Sequence, residues 1–132
     1  MKNFQKIIFS SLISIFLFSF FILPASAAVF SVEENLFINE NVLDDIYLVT
    51  GGADIRGDIF GDAYVAGGNV SIMGNIQEDL VIFGGKINVV GNVGGDIRVL
   101  GGQVSIFGNV GDDLIVVAGQ VDVGKNSVVG GS

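Results

Sequence analysis

The stretch Asp79–Gly95 reads DLVIFGGKINVVGNVGG, and Asp96–Asp112 follows it without a gap as DIRVLGGQVSIFGNVGD. Laid over each other, these two seventeen-residue units agree column by column. The same unit runs from Asp45 to Val129, with starts at Asp45, Asp62, Asp79, Asp96 and Asp113. Column 1 is always Asp. Column 7 is Gly51, Gly68, Gly85, Gly102 and Gly119, and column 13 is Gly57, Gly74, Gly91 and Gly108, with Lys125 last. Column 14 holds Asp58, Asn75, Asn92, Asn109 and Asn126.

A repeat this short cannot bury a hydrophobic face alone and must stack on its neighbours. Within Asp79–Gly95, Leu80 and Ile82 alternate with outward residues, Gly84-Gly85 interrupts, Ile87 and Val89 alternate again, and Gly91-Asn92 interrupts before Val93. That is period-two patterning in short pieces divided by turn residues. Glycine recurs too densely for a helix of useful length. The pattern predicts an all-β, parallel β-helix (β-solenoid) with coils of three short strands and corners at the glycines. Successive coils then pair in register about 4.8 Å apart. The usual hand of parallel crossovers predicts a right-handed coil.

Columns 2, 4, 9, 11 and 15 read as core. In the middle unit these are Leu80, Ile82, Ile87, Val89 and Val93, and β-branched residues dominate the same columns elsewhere, as suits a packed, pleated strand. The Gly-Asn pair after column 12 reads as a corner needing positive φ, and stacked asparagines as an amide ladder. The column of Asp45, Asp62, Asp79, Asp96 and Asp113 marks a second corner. Each carboxylate there can accept a backbone N–H. The competing reading is a divalent-cation edge, but one carboxylate per coil is sparse for calcium, so no metal is expected.

Working outward, Leu36–Asp44 fits the second half of a coil, with Leu36 and Ile38 in inward columns. The solenoid is therefore expected over residues 36–132, with residues 28–35 as a polar lead-in able to cap its end. The last unit decays at Gly124-Lys125, and a one-residue insertion restores the pattern so that Val128 or Val129 points inward. No cap follows, which suggests either an open coil or a chain continuing past Ser132.

Residues 1–27 differ in kind. Lys2 and Lys6 precede an apolar run from Ile7 to Leu23, then Pro24 and Ala25-Ser26-Ala27. This is the order of a secretory signal peptide with cleavage after Ala27; a retained membrane anchor is the alternative. Either places the rest outside the cytoplasm, at the cell surface or in the periplasm. The chain has 6 basic and 14 acidic residues. Cleavage removes two lysines, leaving 4 − 14 = −10. That charge disfavours nucleic acid and anionic membranes as partners. With no His and no Cys, nothing suggests an enzyme, a cofactor or a nucleotide site. The inward spacings of two, five, two, four and four also differ from the every-sixth-residue aliphatic of acyltransferase solenoids.

The recurring G-D-L-x-V-x-G-G-x-V-x-I-x-G-x-V-G-G pattern, as in Gly95–Asp112, resembles the bactofilins, the polymer-forming cytoskeletal proteins of bacteria. The resemblance covers roughly Leu36–Ser132. It implies a right-handed triangular β-helix and end-to-end assembly without nucleotide. Typical bactofilins lack a secretory signal, so this chain looks more like the exported bactofilin-like proteins. The expected function is an exported scaffold that self-associates at the cell envelope. The alternative is an extracytoplasmic binding or adhesin-like module that contacts envelope polysaccharide, within a longer membrane-associated protein.

One surface stands out. With Leu80 and Ile82 inward, columns 3 and 5 point outward: Tyr47, Tyr64, Val81, Arg98, Ile115 and Val49, Ala66, Phe83, Leu100, Val117. A solvated face should be polar, and this one is apolar. Tyr64, Val81, Phe83, Leu100, Ile115 and Val117 are the candidate self-association face.

Overall fold

The computed structural model describes residues 29–132. The expected signal peptide and its expected cleavage after Ala27 lie outside the described residues. Six parallel strands form one sheet in sequence order: β1 (Val29–Ile38), β2 (Ile46–Ile55), β3 (Ala63–Ile72), β4 (Leu80–Val89), β5 (Ile97–Ile106) and β6 (Leu114–Val123). The chain is a β-solenoid of stacked seventeen-residue coils. Every pairing joins equal columns: Leu80 faces Ala63 and Ile97, and Val89 faces Ile72 and Ile106. Isolated parallel bridges carry column 15 from Val42 through Ile59, Ile76, Val93 and Val110 to Val129.

Each coil is one ten-residue strand and a single bridging residue rather than three separate strands. The corner falls inside the strand, where pairing skips only column 7, as between Thr50↔Gly67 and Gly52↔Asn69. Buried positions move by two, then by five, then by two. The odd step of five is the turn, because it breaks the alternation of a flat strand. Columns 2, 4, 9, 11 and 15 of the first four units supply all the buried hydrophobic side chains of the described residues. At about 1.5–3 kcal/mol for each large side chain, they are the main source of stability. Thr50, the one buried polar residue described, donates its hydroxyl to the carbonyls of Glu34 and Gly52.

The glycine columns have a different cause from the one expected. No described residue has positive φ. What column 13 requires is space. A Cβ at Gly74 would collide with the carbonyl oxygen of Gly57, and one at Gly91 with that of Gly74. This explains the last unit. Lys125 stands in that column, and the chain leaves the ladder through a turn closed by Ser127 N–H donating to Gly124 O. The excursion takes two extra residues, not one. Val129 bridges Val110 at a separation of nineteen, and Val129, not Val128, is the more buried.

The lead-in is also corrected. Val29–Asn35 is no cap: it forms β1, paired in register from Val29↔Ile46 to Ile38↔Ile55. Its letters look unlike a coil because it has Glu33, Glu34 and Glu40 in columns where most later coils carry glycine. Glycine is needed only where a Cβ would meet the preceding coil, as Gly51 meets Glu34 and Gly57 meets Glu40. Among the described residues, no coil precedes β1.

Candidate interaction face

Two side-chain ladders fix the corners between the strands. Asp62 N–H donates to Asp45 Oδ1 at 2.7 Å, Asp79 to Asp62 at 2.8 Å, Asp96 to Asp79 at 2.8 Å and Asp113 to Asp96 at 3.0 Å. Ser132 closes the series on Asp113. Each aspartate therefore caps the next coil. The asparagine column works the same way. Asn92 N–H donates to Asn75 Oδ1 at 3.0 Å and Asn109 N–H to Asn92 Oδ1 at 2.9 Å. The bonds run from backbone to side chain, not from amide to amide. Only an acceptor is needed, and Asp58 serves as well as asparagine, accepting from Asn75.

Between these corners, columns 3 and 5 lie on the outside of the first half of each strand. Phe83 and Leu100 are 54% and 50% exposed, and Val49, Ile115 and Val117 are exposed too. Val81 and Ala66 are half-buried between larger neighbours. Tyr47 and Tyr64, one coil apart in column 3, stack with ring centroids 4.9 Å apart and planes 2° from parallel. The small Ala66 sits between Val49 and Phe83 in column 5. This size step opens a shallow depression of ≈ 220 Å³, lined by Tyr47, Tyr64, Ala66, Val81 and Phe83. The face thus carries a hollow on β3 and an exposed Leu100 on β5.

Charge lies along its Asp edge. Asp45, Asp62 and Glu78 bring carboxylate oxygens within 4.8 Å of one another. The ion pairs among the described residues, Arg56–Asp54 at 3.0 Å and Arg98–Asp96 at 2.7 Å, neutralise none of the three. The Asp62 carboxylate holds Glu78 above the usual carboxylate range, with slight desolvation and Asp45 adding. Burial raises the Tyr64 phenol above its usual range, and Asp62, Tyr47, Asp45 and Asp79 add to the effect. The three carboxylates could reach a common cation. Two of them, however, already spend Oδ1 on backbone N–H groups. Glu78 was missed in the sequence because its column is mixed: it holds glycine at Gly61 and Gly95 and an acid at Asp44, Glu78 and Asp112, and only the acids depart from the glycine pattern. That departure from the column is the signal that could have found it.

A second concavity of ≈ 630 Å³ lies on the third side of the coil, along Asn75, Asn92, Asn109, Gly94 and Gly111. Column 10 is less solvated than its polar letters suggest: Asn88 is half-buried, and its Oδ1 is buried without a partner. Comparison with protein-family models, with curated proteins and with solved structures finds no match.

Proposed function

We propose that the chain is an exported structural scaffold, a bactofilin-like β-solenoid that associates with copies of itself end to end at the cell envelope. The observation that carries this reading is the state of the inward columns at the sheet's two edges. Val121 and Val123 of β6 are 46% and 43% exposed, although their columns are sealed in the middle coils. At the other edge, Leu36 and Ile38 offer the same two columns and Val42 offers column 15, and among the described residues they are covered on one side only. Laying β1 of a second copy on β6 continues columns 9, 11 and 15 and supplies partners for the strand edge, which proteins otherwise protect. Electron microscopy of the purified chain starting at Ala28 tests this. Filaments are expected, and Val123→Lys should abolish them by placing a charge in an inward column. A wild-type chain that stays strictly monomeric at high concentration in light scattering overturns the reading.

A second reading, an extracytoplasmic binding module for envelope polysaccharide, draws on the concavity of the third side. Asn75 and Asn92 spend Oδ1 on the ladder, so their amide N–H groups remain as a row of donors about 4.8 Å apart. Asn75→Asp with Asn92→Asp keeps the acceptors and removes the donors. Cosedimentation with envelope polysaccharide that is lost in this variant would favour the module. Cosedimentation that is unchanged would sink it.

A further inference from the structure

The hollow at Ala66 and the exposed side chains of Arg98 and Leu100 lie in the same two outward columns, on β3 and β5, equally spaced about β4. Consider a twofold axis parallel to the strands and passing over β4. It turns one face onto a second copy so that β5 lies over β3, β6 over β2 and β4 over itself. Columns are preserved, column 3 on column 3 and column 5 on column 5. Leu100 then meets the depression at Ala66 and Phe83 meets its symmetry mate. Ile115 comes over Tyr47 and Val117 over Val49. Arg98, the only basic residue in the two columns, arrives beside Tyr64, where Asp62 and Glu78 lack a cation of their own.

We propose that this face is a self-complementary interface between two copies of the chain, turned antiparallel about β4, with Leu100 seated at Ala66 and Arg98 bridging to Asp62 and Glu78 of the other copy. It rests on the self-association reading but uses the flat face rather than the strand edges. An isologous contact of this kind needs a patch that matches itself under the twofold, and an exposed leucine against the hollow, with base against acid, provides that match. The other face-to-face twofold, along the solenoid axis, exchanges columns 3 and 5. It would set Arg98 against Leu100, burying a charge against an apolar side chain. The charged groups along the contact are Asp45, Asp62, Glu78, Asp79, Asp96, Asp112, Asp113 and Arg98. Acid faces acid along the edge except where Arg98 intervenes, so the two symmetry-related Arg98 bridges decide whether the faces can close. Five coils give a patch roughly 24 Å long and about 17 Å wide. It buries about 800 Å² over both copies, short of the ~1,200 Å² of stable specific complexes. A lone pair is accordingly weak, and the contact strengthens when stacked copies repeat it.

The test is sedimentation velocity up to several hundred micromolar on the chain from Ala28 carrying Val123→Lys, so that end contacts do not contribute. Dimers are expected. Arg98→Glu and Glu78→Lys should each weaken them about tenfold, with circular dichroism unchanged. The swap of both together should recover part of the lost affinity, since the new acid at position 98 meets the new lysine at position 78 while Asp62 still opposes it. Leu100→Ser should also weaken the dimer. A monomer at every concentration, an Arg98→Glu chain that dimerises like its parent, or a swap that restores nothing each overturns the proposal. Failure of end-to-end assembly appears separately, as an absence of filaments from the wild-type chain starting at Ala28.

Discussion

Asn92 gives its side-chain oxygen to the backbone of the next coil, and that single bond separates substitutions its column accepts from those it rejects. Asn92→Asp keeps the acceptor, as Asp58 does naturally, and should leave stability nearly unchanged. Asn92→Leu strips the Asn109 N–H of its partner and should cost about 1 kcal/mol. Urea denaturation of both variants checks the pair. Gly91 is constrained by a carbonyl oxygen rather than by a torsion angle, so Gly91→Ala should cost about 3 kcal/mol. Gly119→Ala, whose Cβ would stand 3.2 Å from Gly102 O, should cost clearly less, which equilibrium unfolding can resolve. Glu78 carries a pH signature. Its carboxyl is raised in the folded state, so its contribution is present at low pH and lost as pH rises through the raised value. Glu78→Gln removes that loss. It should melt higher than wild type at pH 7 and equally at about pH 3, where both side chains are uncharged. An equal difference at the two pH values would show that the Asp62 charge is not felt there.

At the scale of the strand, β4 shows how alternation becomes stability. Val89 is fully buried, and Asn88 beside it is half-buried with an unpartnered oxygen. Val89→Asp should destabilise by about 4 kcal/mol by placing an unpaired carboxylate in the core. Asn88→Ser, the residue found at Ser71 and Ser105, should be neutral or better because it removes the orphaned acceptor. Thermal melts that coincide for the two variants would mean the inward and outward columns are exchanged. The strands β2 to β6 were legible in the letters because each core column repeats an aliphatic residue and each tight approach demands glycine. The first half of β1, Val29–Asn35, was not, since the first described coil escapes the glycine requirement and so loses the mark that identifies coils. The length of the final excursion was hidden too. It depends on how many residues carry the chain around Lys125, not on any repeating letter.

For the molecule as a whole, the apolar face could be read directly once the parity of the strand was known. The hollow at Ala66 and the meeting of Glu78 with Asp45 and Asp62 could not. Both depend on side-chain sizes in adjacent coils and on a corner that joins column 17 to column 1. Backbone pairs and side-chain ladders alike link residues one coil apart, with a separation of seventeen at nearly every rung. That regularity gives the solenoid a mechanical character. Pulled from its two ends, the described residues make no contact between strands beyond the neighbouring coil to share the load, so coils should peel away singly from an end. Each detached coil frees seventeen residues, or about 50–60 Å of extended chain. Force–extension traces should then show a sawtooth of equal steps, one per coil, and the molecule would behave as a ratcheted extensible spring instead of a body that yields all at once.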